Sequence, residues 1–352
     1  MDAVVTVLLT VLMFSILIFI HEFGHFITAK LFKVKVNEFA LGMGPRLFKF
    51  KKGETIYALR ALPIGGFVSM EGEEEESEHP RAFKKQKVWK RIVICSAGVF
   101  MNFILGLAIA ISLIATNGSE YLVSTTVSSV VTQDVEGDIL KEGDKILSIS
   151  GYKIFSGEDI SFGVSRSDPT GKSELIELET EFVVLRDGEK VTLNNVRPFV
   201  RVTDENGEQQ DRYNFYVNPE NKNFLSVLRH GFFEAVSYVR TTVLGLADLI
   251  FGRVGIDSLG SVIKVGQVVG KASKYGFSNL LYLMAIISVN LGVMNFLPIP
   301  ALDGGRVVLL AYEGIFRRKV NQKVETVLIA GSMIILFGLM ILVSIKDIAS
   351  FF

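Results

Sequence analysis

The stretch that decides the fold lies at the start of the chain, where residues 3–31 read AVVTVLLTVLMFSILIFIHEFGHFITAKL. Up to residue 20 its only polar side chains are threonine and serine, and apolar character resumes after two histidines. About 20 apolar residues are enough for a helix to cross the hydrocarbon core of a bilayer. No basic residue precedes the apolar part and no small-residue cleavage site comes before Lys30. We therefore expect a retained transmembrane helix rather than a cleaved signal peptide.

Three further apolar stretches, residues 92–115, 280–298 and 327–345, have comparable length and predict three more transmembrane helices. Hydrophobic residues make up 49% of the 352-residue chain, which is typical of a polytopic membrane protein with a polar insert. The formal net charge is zero. Because the chain has no excess of basic residues, we do not expect a nucleic-acid partner. The single cysteine, Cys95, excludes an internal disulfide framework and a cysteine-based zinc cluster.

The distribution of basic residues predicts the orientation in the membrane. Residues 26–91 carry 14 Lys/Arg and 8 Asp/Glu, and the short loop 303–325 carries 5 and 3. The insert, residues 117–278, carries 17 basic and 23 acidic residues. Because cytoplasmic loops are enriched in Lys and Arg, we expect both basic loops inside the cell and both termini and the insert outside.

A pentapeptide inside the first predicted span points to metal chemistry. His21-Glu22-Phe23-Gly24-His25 is an HExxH motif, and residues i and i+4 of a helix share one face. Both histidines can therefore bind one cation, while Glu22 can hold a water molecule and take its proton. The alternative is a group of polar side chains that only contact neighbours at the membrane boundary. Ionisable groups within a span are costly and functional by default, which favours the metal site.

The third ligand should lie at the same depth in the membrane, and Asp303 satisfies this condition. It follows the third span in NFLPIPALDGGR, residues 295–306. The first and third spans run in the same direction, so their C-terminal ends share the cytoplasmic side. Neither His79, beside an acidic run, nor His230, in the insert, meets this condition. A turn at Gly304-Gly305 capped by Asp303 is the alternative, but a catalytic metal needs three protein ligands and one open position.

HEFGH at residues 21–25 and N-x-x-P-x-P-x-L-D-G at 295–304 together resemble the site-2 proteases, specifically the bacterial RseP/RasP type. The resemblance covers nearly the whole chain. It implies a zinc-dependent intramembrane endopeptidase of the bacterial cell membrane, with His21, His25 and Asp303 as zinc ligands and Glu22 as the catalytic residue. The implied substrates are single-pass membrane proteins: anti-sigma factors that a first protease has shortened, and remnant signal peptides.

The resemblance extends to the insert. Residues 140–151, LKEGDKILSISG, resemble the GD-x-I-x-x-I-x-G signature of PDZ domains, with Ile146 and Ile149 entering the core. Residues 134–138 depart from the small-residue loop usual in that family, and whether the domain binds peptides or excludes bulky substrates stays open. Residues 224–275 are apolar but interrupted by charges, which predicts amphipathic helices on the outer leaflet, with a fifth span as the alternative.

Two further elements are interpreted through the same resemblance. Residues 36–70, with a turn at 51–54, resemble a cytoplasmic, membrane-associated β-hairpin whose edge could hold an extended substrate. A plain cytoplasmic β-loop is the alternative. Asn290 and Asn295, in the third span, are implied to bind the substrate backbone. Helical phase separates them by about 140°, and packing between helices would also explain two amides there.

The sequence thus predicts a polytopic α-helical membrane protein with four transmembrane helices, an extracytoplasmic PDZ-like insert and a cytoplasmic β-hairpin. The expected divisions are residues 1–116, 117–200, 201–278 and 279–352. A metal-binding receptor or transporter with a PDZ docking module is a second hypothesis, and a membrane-anchored zinc protease acting on soluble proteins is a third. Glu22 favours the enzyme, since a transporter needs no general base, and the depth of Asp303 favours cleavage within the membrane.

Overall fold

Four long apolar helices account for the predicted membrane spans. The computed structural model describes residues 3–73, 75–117, 122–131, 139–168, 173–203, 208–255, 260–318 and 320–349. Within these ranges, the helices long and apolar enough to cross a bilayer are Val4–Leu31, Val88–Thr116, Phe277–Asn295 and Gln322–Ala349. Each overlaps one predicted span, and the expectation of a polytopic membrane protein with a β-rich insert is confirmed.

Helices and strands alternate along the described chain. In order, the helices are α1 (Ala3–Leu31), α2 (Val88–Thr116), α3 (Glu158–Ser165), α4 (Phe224–Ile250), α5 (Val262–Lys274), α6 (Phe277–Asn295), α7 (Asp303–Phe316) and α8 (Gln322–Ala349). The strands are β1 (Val36–Lys52), β2 (Thr55–Met70), β3 (Val123–Val130), β4 (Lys145–Ile149), β5 (Tyr152–Lys153), β6 (Thr180–Arg186), β7 (Glu189–Val196), β8 (Phe199–Thr203), β9 (Gln209–Tyr213) and β10 (Phe215–Pro219).

The chain forms two compact units. The membrane unit comprises Met1–Ile109 and Leu259–Phe352, and the insert unit comprises Ala110–Ser258. Residues distant in sequence are thus brought together in the membrane unit, where the HExxH helix and Asp303 both lie.

Close approach between α1 and α2 positions the HExxH motif in the membrane unit. A Cβ atom at Gly24 would lie 2.4 Å from the carbonyl oxygen of Ala97, so only glycine fits at this crossing. Nearer the other end of α1, Met13 and Leu17 pack with Val269 of α5 in a buried apolar cluster. These contacts set α1 against both neighbours and orient its two histidines towards α2.

Strands β1 and β2 bend to form a sheet of four segments rather than a flat hairpin. They meet at the predicted turn, where Gly53 adopts a φ of 64°. Phe39 pairs with Val68 on one side and Tyr57 on the other, and Tyr57 also pairs with Phe50. The order across the sheet is therefore residues 66–70, 36–41, 56–59 and 48–52. The outermost segment, 66–70, pairs with a single neighbour among the described residues and leaves one edge open.

Residues 303–316 form helix α7, which corrects the expectation of a loop over 303–325. A Cβ atom at Gly304 would lie 2.2 Å from the carbonyl oxygen of Phe296, and one at Gly305 equally close to that of Ile299. Adjacent glycines usually indicate a turn. Here their missing side chains let the first turn of a helix pack against the bend that follows α6. Asp303 is consequently the first residue of a helix and not a flexible loop carboxylate.

The insert unit is built on a sheet in the order β10-β3-β4-β6-β7, with β5 paired to β4. Its core contains Ile146 and Ile149, as predicted, packed with Phe182 among other buried residues. Strand β10 pairs with β3 and so belongs to the same sheet. It lies beyond residue 200, which was the expected end of the PDZ-like domain. The loop 134–138, singled out in the sequence, lies outside the described residues.

A buried ion pair closes one end of that sheet. Asp144 is 1% exposed and accepts hydrogen bonds from both Arg186 nitrogens Nε and Nη2 at 2.8 Å. Burial alone would raise the pKa of Asp144, but the hydrogen bonds from Arg186 and the Lys141 backbone lower it overall. The Gly143-Asp144 turn of the PDZ-like signature is therefore held by a charged contact to β6.

Helix α4 is amphipathic. Asn223 caps its first turn through a reciprocal pair of hydrogen bonds with Ser226. Glu234 and Tyr238 are buried and hydrogen-bonded at 2.5 Å, whereas Phe224 and Ile250 are mostly exposed. Neither α4 nor α5 is among the candidate spans of the described chain, so the structure offers no support there for a fifth span.

Candidate functional site

Three of the predicted site residues meet at one point of the membrane unit. His21 Nε2 lies 3.0 Å and His25 Nε2 lies 3.1 Å from the same oxygen, Oδ2 of Asp303, although 278 positions separate His25 from Asp303. The two Nε2 atoms are 3.3 Å apart. Both histidines are buried, and Asp303 is largely buried. The first turn of α7 thus supplies the third side chain that the sequence predicted.

The other two histidines are engaged elsewhere. His79 Nδ1 accepts a hydrogen bond from the backbone of Arg81, in the segment between β2 and α2. His230 of α4 lies 2.5 Å from the Glu220 carboxylate, within the insert unit. Neither belongs to the cluster around Asp303, in agreement with the sequence argument.

The hydrogen bonding of His25 indicates what this cluster can hold. Its Nδ1 lies 2.8 Å from the carbonyl oxygen of Ile94, which can only accept, so Nδ1 carries the proton. In the neutral ring Nε2 is then an acceptor, and it faces a carboxylate oxygen and the second imidazole. A metal cation held between these atoms would satisfy all three of them.

The spacing of the ligand atoms fits zinc. Two nitrogens bound at about 2.05 Å in a tetrahedral site lie about 3.3 Å apart, which matches the distance between the His21 and His25 Nε2 atoms. Two imidazoles and one carboxylate also form a donor set that zinc accepts, with a fourth position left open. The residues present therefore fit a catalytic zinc ion.

Asn102 of α2 supports the other histidine. Its amide nitrogen lies 3.2 Å from His21 Nδ1, and its amide oxygen is buried with no hydrogen-bond partner among the described residues. The oxygen and nitrogen of a carboxamide are nearly isosteric. In the other amide orientation, the oxygen accepts a hydrogen bond from the Nδ1–H group and leaves the His21 Nε2 lone pair free to bind a metal. Hydrogen bonding of this kind normally orients metal-binding histidines.

Gly98, one turn before Asn102, provides the space that the two rings occupy. A Cβ atom at this position would lie 2.4 Å from His25 Nε2 and 2.8 Å from His21 Cε1. No motif in the sequence marks Gly98 or Asn102 as part of this site. Their i, i+4 spacing on α2, which puts both on one face, was the available signal for a shared role.

Glu22 lies in the same cavity, beside the open edge of the sheet. The cavity measures about 730 Å³ and is lined by His21, Glu22, His25 and Asp303 together with residues 66–73. A Cβ atom at Gly66 would be 3.0 Å from Glu22 Cγ, so the absence of a side chain lets the edge segment approach the glutamate. The cavity therefore has room for an extended peptide next to the metal-binding cluster and the Glu22 carboxylate.

Acidic side chains dominate the outer wall of this cavity. Glu71, Glu73, Glu75 and Glu76 line it. Hydrogen bonds from Ser77, Lys35 and Asn37 lower the pKa of Glu71 to about 2, so that carboxylate stays ionised. Glu73 forms an ion pair with Arg306 of α7, one turn after Asp303. This pair joins the chain following β2 to the helix that carries Asp303, and sequence reasoning missed it.

The two asparagines of α6 are not brought to the cluster. Among the described residues that line the cavity, neither Asn290 nor Asn295 appears. Helix α6 continues to Asn295 and the prolines follow it, so the two amides keep their separation around the helix. Their predicted role in substrate binding stays a prediction.

A metal-binding cluster beside a glutamate, within a bundle of spanning helices, is the arrangement expected of a membrane-embedded metalloprotease. Comparison with known proteins identifies the family within that class. The sequence profile of peptidase family M50 matches residues 9–339, and the chain belongs to this family of zinc-dependent site-2 proteases.

Relatives match over their full lengths. A Clostridium perfringens protein named as a zinc metalloprotease by inference is 38% identical to this chain over 345 residues. The match covers 97% of this chain and 98% of that protein. A Fusobacterium nucleatum protein with the same description is 36% identical over 99% of both chains. The zinc metalloprotease RasP of Bacillus licheniformis is 30% identical over 99% of both chains. The predicted enzyme class and the predicted zinc cofactor are confirmed.

Proposed function

We propose that this chain is an intramembrane zinc endopeptidase that cuts transmembrane segments of membrane proteins which another protease has already shortened. Substrates of the anti-sigma-factor type and remnant signal peptides are the proposed classes, as part of regulated intramembrane proteolysis. The observation that carries this proposal is the convergence of His21, His25 and Asp303 with Glu22 in one cavity beside an open strand edge. Such a cavity accepts an extended chain next to hydrolytic groups.

His21, His25 and Asp303 are the proposed zinc ligands. When bound, zinc supplies a Lewis acid that polarises the scissile carbonyl and acidifies water. Glu22 is the proposed general base: it orients the attacking water, takes its proton and returns it to the leaving amide nitrogen. The Ile94 carbonyl and the Asn102 amide hold the histidine rings so that both Nε2 atoms face Asp303.

Substrate binding is proposed to use the edge segment, residues 66–70. A transmembrane helix must unwind locally before its peptide bonds can be attacked, and its exposed N–H and C=O groups then need partners. Addition as a further strand provides those partners along the cavity wall. Asn290 and Asn295 are proposed to bind the substrate backbone, outside the cavity that holds the metal cluster.

The proposed organisation follows the sequence divisions. Residues 1–116 and 279–352 form the membrane core, residues 117–200 a PDZ-like domain and residues 201–278 a peripheral region. We place both termini and the insert outside the cell and the zinc site near the cytoplasmic face. Exposed Leu47 and Phe48 support contact of the β1–β2 sheet with the membrane. The alternative of a metal-binding receptor or transporter is disfavoured, because it does not account for membership of a protease family.

Purified protein with zinc, incubated with tagged transmembrane peptides, tests the proposal. Glu22→Gln should keep about one zinc per chain but lose turnover, because the ligands stay and the base is removed. His21→Ala and Asp303→Ala should lose zinc and activity together. Glu142→Gln, at an exposed position of the insert, is the matched control and should behave as the unmodified protein. Full cleavage by purified Glu22→Gln would reject the assignment of the base.

A further inference from the structure

A second cavity of about 530 Å³ opens beside the metal-site cavity in the membrane unit. The two cavities share four lining residues, Glu73, Glu76, Cys95 and Arg306. The ion pair between Arg306 and Glu73 lies at this shared border. None of the proposed catalytic steps uses the second cavity, although it borders the site where they occur.

The walls of the second cavity combine apolar side chains of α7 and α8 with charged side chains. Helix α7 contributes Leu309 and Leu310, and α8 contributes Ile329, Ala330 and Met333. Part of the charge is paired internally, since Arg91 contacts Glu313 at 2.7 Å with both side chains largely buried. The apolar part of the lining is therefore the part that recognises a ligand, and a large aliphatic or aromatic side chain suits it.

The course of the β2 edge relates the second cavity to a bound substrate. Residues 66–70 line the first cavity. The chain turns after Met70, where the Glu73 amide donates a hydrogen bond to the Met70 carbonyl at 3.3 Å, so Glu73 lies next to the end of the edge and lines both cavities. An extended peptide advances about 3.3 Å per residue. A peptide that leaves the end of this edge would therefore reach the border of the second cavity within two or three residues.

We propose that the second cavity is a substrate subsite, which receives a large apolar side chain located two or three residues from the scissile bond in the direction of Glu73. This inference rests on the proposed function, because it assumes a peptide lying along the β2 edge. It adds a specificity determinant: Leu, Ile, Phe or Met at that position of the substrate should promote cleavage, and Ala should not.

A lipid acyl chain is the other candidate occupant, and the wall disfavours it. The lining includes the charged side chains of Glu73, Lys84, Arg91, Arg306 and Glu313. Placing a wholly apolar chain beside these charged side chains would displace the water around them, which is costly even where they are paired. A peptide brings backbone N–H and C=O groups that can replace part of that water, together with an apolar side chain for the apolar part of the lining.

The test pairs two tryptophan substitutions on α8 with a series of peptides. Met333→Trp should narrow the second cavity, whereas Ile335 is 71% exposed and lies outside both cavity linings, about 200° around the helix. Peptides carry Leu or Ala at each of the three positions on either side of the cut. The unmodified protein and Ile335→Trp should prefer Leu at one position by about 10-fold or more. Met333→Trp should reduce that ratio to below about threefold.

Photo-crosslinking gives a readout that does not need turnover. A photoreactive residue at position 333 of the Glu22→Gln protein should crosslink to the substrate within three residues of the cut, and one at position 335 should not. Crosslinks from position 333 to lipid alone, or a Leu preference unchanged in Met333→Trp, would overturn the subsite. If the unmodified protein cleaves no peptide, the proposed function fails and the subsite fails with it; if it cleaves peptides but position 333 gives no crosslink near the cut, the subsite alone is overturned.

Discussion

Substitution of Gly98 by alanine is the sharpest test of the metal centre, because it adds a single methyl group against both histidine rings. The new Cβ atom would lie 2.4 Å from His25 Nε2 and 2.9 Å from His21 Nε2. Ordinary van der Waals contact begins at 3.4 Å. The His25 ring must therefore move by about 1 Å, roughly twice the tolerance of about 0.5 Å for a functional constellation.

The expected effect is large for zinc and small for the fold. Disturbing the groups that orient metal ligands typically weakens metal affinity about 10- to 100-fold. Because both histidines are displaced here, we expect the upper end, about 100-fold or roughly 2.8 kcal/mol. Alanine is a better helix former than glycine by about 1 kcal/mol. The substitution in α2 should consequently preserve the helix while it weakens the site.

Zinc content by mass spectrometry and affinity by competition with a chelating dye measure this effect. Gly106→Ala is the matched control: it lies two turns further along α2, where the new methyl group would meet a side-chain carbon of Val289 at 2.6 Å. That variant should bind zinc as the unmodified protein does, with only a modest change in thermal stability. If Gly98→Ala bound zinc with an affinity within threefold of that of the unmodified protein, the close contact between position 98 and the two histidine rings would be refuted.

Three further predictions concern other parts of the molecule. Gly66→Val should move the sheet edge away from Glu22 and lower the cleavage rate about 100-fold while zinc is retained. Asn102→Leu removes the polar partner of His21 Nδ1 and should weaken zinc binding about 10- to 100-fold. Burial raises the pKa of Glu234 to about 7, despite the opposing hydrogen bond from Tyr238. The folded insert therefore holds this proton more tightly than the unfolded chain, and its stability should fall by up to about 3 kcal/mol between pH 4.5 and 7. Glu234→Gln should flatten that dependence in hydrogen-exchange measurements.

Conservative substitutions provide the controls. Gly66→Ala should give a smaller loss than Gly66→Val, and equal zinc content with full activity in both would contradict the role of the edge. Asn102→Asp can still accept from His21 and should rescue zinc binding. Tyr238→Phe removes the hydrogen bond that lowers the pKa of Glu234, so the loss of stability should continue to higher pH. An unchanged pH profile in Glu234→Gln would mean that another group titrates.

The convergence of His21, His25 and Asp303 could be predicted from the sequence because each part of the pattern is encoded locally. Helical periodicity puts His21 and His25 on one face, and the length of the apolar runs sets the number of spans. The positive-inside rule then indicated that Asp303 shares their depth. Hydropathy and helical spacing depend on neighbouring residues alone, which is why they can be read without the fold.

Close packing between distant segments could not be predicted in this way. Gly304-Gly305 read as a turn, yet the pair begins α7, because the missing side chains fit against the carbonyl groups after α6. The requirement for Gly98 at the histidine rings likewise depends on how α1 crosses α2. A glycine looks the same in sequence whether it bends the chain or makes room for a neighbour.

The sequence by itself thus determined the class of protein, the four candidate spans and the three side chains that converge. Only the tertiary structure decided which groups orient them: the Asn102 amide, the Ile94 carbonyl and the space above Gly98. The second cavity, which Arg306 and Glu73 border, was likewise visible only in the tertiary structure. The physical reason is that metal ligands are recognised by their own chemistry. Supporting contacts and cavities arise from the surfaces of helices whose separation and crossing no local pattern specifies.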